Sequence, residues 1–87
     1  MQFLFPAVPR HKISDQFNKV REELEEIETA PDNENMILEY WDTVHALEQI
    51  GRKIYGLVGS AEFWNGRDHV LSKNYGRGLY VDDTKRS

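Results

Sequence analysis

Four acidic side chains, on two neighbouring stretches of the chain, have a spacing that could bind a metal ion. Glu23 and Glu26 are three residues apart, and Glu39 and Asp42 repeat that spacing further along. Side chains three residues apart lie on one side of an α-helix, roughly 60° from each other around its axis. Carboxylate oxygens are the ligands that hard cations such as Mg²⁺ and Mn²⁺ prefer. The spacing therefore indicates a cation site, provided that both stretches are helical and lie side by side.

The apolar pattern predicts a helix for the first acidic stretch. Ser14 is a good N-cap residue, and Asp15 follows it in the first turn. Pro31 is expected to end the helix, because proline disfavours helical geometry in the residue before it. The apolar stripe, with alternating steps of four and three, comprises Ile13, Phe17, Val20, Leu24 and Ile27.

A second and a third helix are predicted after a short turn in which Asp32 and Asn33 offer a new N-cap. The second helix should run from about Glu34 to at least Ile50, and glycines at 56 and 59 mark its end. The third helix is predicted from about Ser60, and the glycine-rich segment after position 73 is expected to be a loop. The main stripe of the second helix comprises Ile37, Tyr40, Val44 and Leu47.

An antiparallel pairing of the first two helices would bring the acidic side chains together. With the two stripes facing each other, both acidic pairs fall on the same side of the pair and share one groove. Like charges 4 Å apart repel by about 4 kcal/mol at an effective dielectric near 20, and a bound cation offsets that repulsion. On composition alone, a solvated acidic helix face remains an alternative.

The acidic pattern resembles the signature of MazG-like nucleoside triphosphate pyrophosphohydrolases, which belong to the all-α nucleotide pyrophosphatases. The resemblance is carried by Glu22, Glu23 and Glu26, followed after twelve residues by Glu39 and Asp42. A second segment, Lys-Asn-Tyr-Gly-Arg-Gly-Leu-Tyr at 73–80, is similar to the C-terminal segment of that family. The resemblance covers roughly residues 16–80.

The resemblance implies a Mg²⁺-dependent hydrolase that converts a nucleoside triphosphate, expected to be a dNTP, to a nucleoside monophosphate and pyrophosphate. Glu22 and Glu23 would be catalytic, with Glu22 orienting or deprotonating the attacking water. The implied metal ligands are Glu23, Glu26, Glu39 and Asp42, and the implied substrate-binding residues are Lys73, Asn74, Arg77 and Tyr80. Two alternatives stay open: a phosphoribosyl-ATP pyrophosphohydrolase-like enzyme, and an inactive helical interaction module of the same fold.

Length and composition limit the other possibilities. With 87 residues, the chain is expected to form a single MazG-like domain, with an extended arm at 1–12 and a polar tail at 81–87. A core this small favours assembly of an all-α hairpin and third helix into a multi-helix bundle, as a homodimer or homotetramer. A net charge of −4 argues against nucleic acid as a partner. Lacking cysteine and any long apolar run, the chain is expected to be cytoplasmic and without membrane contact.

Overall fold

The computed structural model describes residues 3–80, and this part of the chain contains three helices and no strand. They are α1 (Ile13–Glu28), α2 (Asn33–Val58) and α3 (Ser60–Gly76). The prediction of an all-α protein with three helices is therefore confirmed. None of the helices in the described part is both long and apolar enough to cross a membrane. The chain forms two compact units, Met1–Leu57 and Val58–Ser87, and the predicted tail at 81–87 lies outside the described residues.

Both termini of α2 agree with the sequence prediction, whereas the predicted N-cap of α1 does not. Asp32 is the N-cap of α2, because its Oδ1 accepts a hydrogen bond of 2.8 Å from the backbone N–H of Asn35. The end of α2 is also as predicted, since Gly59 follows it with a φ of 89°, which favours glycine. For α1 the predicted cap is wrong: the N-cap is Lys12, without a side-chain hydrogen bond, and Ser14 lies within the first turn.

Helices α1 and α2 pair in opposite directions. Glu23 and Glu26 of α1 lie beside Glu39 of α2, and Lys19, about one turn earlier in α1, interacts with Asp42, about one turn later in α2. Only an antiparallel arrangement gives such contacts. The predicted hairpin is thus present in the first unit.

The faces that the two helices turn towards each other agree only in part with the predicted ones. On α2 the most buried residues include Thr43 and Ala46, and on α1 it is Glu23 that is buried. Large members of the predicted stripes stay in solvent: Phe17 is 43% exposed and Ile37 is 57% exposed. Small side chains on α2 allow a close approach of α1. The contact face of α2 is therefore rotated about the helix axis, from the predicted stripe towards these small and polar residues.

Few apolar side chains are buried in the described part of the chain. Ala46 and Ile50, both on α2, are the apolar residues that reach full burial there. By contrast, nine large apolar side chains of α2 are exposed: Met36, Ile37, Leu38, Tyr40, Trp41, Leu47, Ile54, Leu57 and Val58. One chain by itself therefore leaves an extended apolar surface in water.

The second unit contains α3 and the turn that follows it. Contrary to the prediction of a loop after Lys73, α3 continues to Gly76 because the chain closes it with a Schellman motif. The N–H of Gly78 bonds to the carbonyl of Tyr75, and the N–H of Leu79 bonds to that of Asn74, both at 3.0 Å. Gly78 has a φ of 77°, the left-handed conformation that this motif requires.

Candidate metal centre

Three of the four predicted ligands lie together where α1 and α2 meet. Glu23, Glu26 and Glu39 each contribute one carboxylate oxygen, and these oxygens all lie within 4.8 Å of one another. Glu23 is 1% exposed, Glu39 is partly buried and Glu26 is exposed. The cluster therefore extends from the interior of the hairpin to its surface, with an open side at Glu26.

One carboxylate oxygen of Glu23 is paired with a neighbouring lysine, and the other has no hydrogen-bond donor among the described residues. Lys19, one turn earlier in α1, forms an ion pair of 2.6 Å with Oε1 of Glu23. The Oε2 atoms of Glu23 and Glu39 are both buried, and no described residue donates a hydrogen bond to either of them. Buried carboxylate oxygens without a donor are unfavourable. A bound proton or cation would satisfy these two atoms.

The three carboxyl groups change one another's proton affinity. Hydrogen bonding with Glu23 and Glu26, together with burial and their negative charges, raises the pKa of Glu39 to about 8. Burial acts to raise the pKa of Glu23, but hydrogen bonds with Glu39 and Lys19 outweigh it, and the net pKa is lowered. Without a cation, the cluster therefore retains a proton on Glu39 near neutral pH, and that proton can be donated to Glu23.

The other two acidic residues of the predicted site lie outside this cluster. Asp42 is exposed and is not among the carboxylates that approach within 4.8 Å, although its charge contributes, after Glu23, to raising the pKa of Lys19. Glu22 is exposed on α1, next to Glu23 in sequence. Their assignments as ligand and catalytic residue stay predictions.

The donor set of the cluster fits a hard divalent cation. Mg²⁺ is usually bound by one or two carboxylates, with water and phosphate in its remaining positions, and three carboxylates with an open side could supply that number. A cation would also satisfy the two unpaired Oε2 atoms and would replace the proton on Glu39. The chemistry available to such a centre is activation of water and neutralisation of phosphate charge.

The predicted substrate-binding residues belong to the second unit, at the end of α3. Lys73 and Arg77 are exposed and lie one helical turn apart. The side-chain amide of Asn74 donates a hydrogen bond of 3.0 Å to the hydroxyl of Tyr80, whose ring packs edge-on against Tyr75. Asn74 and Tyr80 therefore already have a structural role in closing the turn, while Lys73 and Arg77 present positive charge to solvent.

A set of buried and half-buried polar residues on α2 has no counterpart in the sequence interpretation. Glu48, Gln49 and Arg52 bind the N-terminal arm through its main chain. Their spacing could have suggested a polar face next to the apolar stripe, but nothing in the sequence identifies an extended segment of the same chain as its partner.

Comparison with known proteins leaves the resemblance without independent support. No protein-family model matches this chain, and neither a curated protein nor a solved structure is significantly similar to it.

Proposed function

We propose that the chain is a Mg²⁺-dependent nucleotide pyrophosphohydrolase of the MazG-like kind, with Mn²⁺ as an alternative ion. The observation that carries the proposal is the cluster of Glu23, Glu26 and Glu39, in which two buried oxygens have no donor among the described residues. An acidic helix face formed for solubility alone would keep its carboxylates in water, where they are fully hydrated. Here Glu23 is almost completely removed from water, which is costly unless the charge is paired, and Lys19 pairs only one of its two oxygens.

The substrate class in this proposal comes from the sequence pattern. Bound Mg²⁺ would supply charge neutralisation at the phosphates and a water of lowered pKa. Glu23, Glu26 and Glu39 would hold the ion, Asp42 would complete the ligand set, and Glu22 would orient the attacking water. Attack between the α and β phosphates of a nucleoside triphosphate would release the monophosphate and pyrophosphate. Lys73, Asn74, Arg77 and Tyr80 are proposed as substrate contacts on the resemblance alone.

Assembly into a homodimer or homotetramer is part of the same proposal. On α2 a helical seam is formed by residues spaced three, seven, seven and four apart, each between 43% and 57% exposed: Ile37, Tyr40, Leu47, Ile54 and Val58. A second copy that covered this stripe would remove it from water and complete a multi-helix bundle.

The proposed activity is tested by measuring pyrophosphate release from a panel of dNTPs and NTPs with Mg²⁺. We expect the wild type to hydrolyse at least one nucleotide, and Glu39→Gln to lose about 100-fold or more of that rate while keeping its helical content. Glu25→Gln is the matched control, because Glu25 is an exposed glutamate of α1 outside the cluster. Release that is equal in Glu39→Gln and wild type, or absent across the panel, would contradict the proposal.

An interaction module without turnover is the second candidate, and the exposed apolar stripe of α2 favours it. In that case the stripe would bind a helix of another protein, and the carboxylates would serve only the fold. The same panel separates the two candidates, because a module shows neither pyrophosphate release nor any change in its thermal midpoint with Mg²⁺.

A further inference from the structure

The N-terminal arm is attached to α2 by hydrogen bonds that use only the main chain of the arm. The two carboxylate oxygens of Glu48 accept hydrogen bonds from the N–H groups of Leu4, at 2.8 Å, and Phe5, at 2.7 Å. Arg52 donates a hydrogen bond of 2.7 Å to the carbonyl of Phe5. Charged partners make such bonds stronger than neutral ones. The first half of the arm is therefore firmly bound.

Gln49 fixes the second half of the arm in the same way. Its side chain is fully buried, its Oε1 accepts from the N–H of Val8 and its Nε2 donates to the carbonyl of Pro6, both at 2.9 Å. A buried amide with both ends bonded to main chain selects an extended segment in one register. Glu48, Gln49 and Arg52 thus form a groove for an extended peptide, which we call the arm groove.

Two aromatic side chains of the arm complete the contact. The ring of Phe3 lies edge-on to Tyr55 at 6.2 Å and 4.4 Å from the guanidinium of Arg52. The ring of Phe5 lies edge-on to His45 at 5.2 Å and to Trp41 at 6.4 Å. Both rings meet residues of α2, so these ring contacts and the main-chain hydrogen bonds all join the arm to one helix.

The segment that connects the arm to α1 is strained and loosely packed. Arg10 has a φ of 58° and is the one non-glycine residue with positive φ in the described part of the chain. The left-handed region is unfavourable for a residue with a Cβ atom. Next to it, an open cavity of about 490 Å³ separates residues 11–14 from Lys53, Gly56 and Leu57 of α2. For the arm to bind α2 of its own chain, Arg10 must therefore adopt an unfavourable backbone conformation next to a cavity.

We propose that the arm exchanges between two copies of the chain, so that residues 3–8 of each copy occupy the arm groove of the other. The hydrogen bonds and ring contacts of the arm are all kept in the exchanged form, because none depends on the connection to α1. Exchange of identical elements is a low-cost route to a dimer. The strain at Arg10 is released when the connection opens, and the prolines at 6 and 9 keep the arm extended across the gap. The exchange is independent of the carboxylate cluster.

Cross-linking between differently marked full-length chains detects the exchange. The chain has no cysteine, so Leu4→Cys on the arm and Tyr55→Cys on α2 can be made in separate chains, mixed and treated with a short bismaleimide. Exchange predicts a cross-linked heterodimer. In the control mixture the second chain carries Glu28→Cys at the far end of α1, and only random collisions link it to the first.

Two substitutions at the hinge should move the exchanged fraction in opposite directions. Arg10→Gly removes the backbone strain of the closed form, in which the arm binds its own chain, since glycine adopts a positive φ freely. It should lower the ratio of exchanged to closed chains about fivefold to tenfold. Arg10→Pro cannot adopt the closed backbone, because proline holds φ near −65°, and should raise that ratio.

Isotope-filtered NMR on a mixture of labelled and unlabelled wild-type chains gives an independent result without any substitution. Exchange predicts cross-peaks between Phe3 of one chain and Tyr55 of another. Heterodimer yields equal to the control mixture, together with cross-peaks confined to single chains at all concentrations, would overturn the proposal. Insensitivity of the cross-linked yield to both substitutions of Arg10 would overturn the role assigned to the hinge.

Discussion

The two faces of α2 reverse the usual distribution of side chains between interior and solvent. The face towards α1 buries small and polar residues, among them Thr43 and Ala46. Another face of the same helix carries Ile37, Tyr40 and Leu47, each about half exposed or more. In a monomer whose fold is complete in one chain, large apolar residues are the ones most often buried. The proposed assembly would account for this reversal, because a second copy would cover the exposed apolar side chains.

The buried face also carries a charge that stability alone does not explain. Glu23 is enclosed between the helices with one oxygen paired to Lys19 and the other unpaired. Apolar replacements of buried charged groups are often neutral or stabilising. The proposed cation site would account for a carboxylate in so small an interior, since a bound cation would offset its buried charge.

The largest expected effect is a loss of stability, seen when one substitution on the buried face of α2 is compared with one on its exposed face. Ile50→Ala removes one of the few buried apolar side chains and should lower the free energy of unfolding by about 2–5 kcal/mol. Ile37→Ala, at an exposed position of α2, should cost well under half of that in dilute solution. Urea denaturation measures both. Equal losses would show that the two faces do not differ in burial.

Apart from any exchange of the arm, self-association should depend on the exposed stripe of α2 and not on the exposed surface of α1. Leu47→Lys places a charge in the stripe and should weaken self-association by about tenfold or more. Asn18→Lys adds the same charge at an exposed position of α1 and should leave association unchanged. Analytical ultracentrifugation over a range of concentrations separates them. Identical association of Leu47→Lys and wild type would remove the stripe from the interface.

The buried face should make the metal-free chain less stable as the pH rises. The pKa of Glu39 is raised from 4.5 to about 8, so between these values the folded chain binds a proton that the unfolded chain has released. Its stabilisation is complete below pH 4.5 and is lost as the pH rises to about 8. Denaturation midpoints in the presence of a chelator should fall across this window.

Glu39→Gln should reduce that dependence on pH, because the amide donates a hydrogen bond at every pH. Glu25→Gln should keep the slope of the wild type. A wild-type midpoint that is constant or rises across the same window would contradict the shared proton in the cluster.

The smallest expected loss of stability comes from the N-cap of α2, the helix that carries both faces. Asp32→Ala removes the N-cap hydrogen bond to Asn35 and should cost about 1 kcal/mol. Ser14→Ala should change stability by much less, because Ser14 is not the cap of α1. Thermal denaturation compares the two. A larger loss in Ser14→Ala would mean that α1 begins where the sequence pattern placed it.

The sequence was sufficient for the helices and only partly sufficient for the site. Apolar periodicity and the cap at Asp32 located the elements, since these signals are local. Periodicity does not say which side of a stripe faces the neighbouring helix, and the small residues at 43 and 46 rotated the pairing so that Glu23 became buried. The clustering of Glu23, Glu26 and Glu39 was nevertheless anticipated, because side chains three apart stay together under a modest rotation.

The arm groove and the end of α3 depended on information that spacing does not contain. Binding of Val8 by Gln49 joins positions more than forty residues apart, and nothing local marks it. The glycine at 78 was read as part of a loop, whereas it closes a helix in a left-handed conformation. A glycine near a helix end fits both interpretations until the backbone is known.

Calorimetric titration of the full chain with Mg²⁺ or Mn²⁺ at a pH above 8 tests whether Glu23, Glu26 and Glu39 form a divalent cation site. We expect saturable binding to the wild type, the same binding to Glu25→Gln, and no detectable binding to Glu39→Gln, with all three chains equally helical. Wild-type binding that is absent, or that survives unchanged in Glu39→Gln, would contradict the proposed cation site.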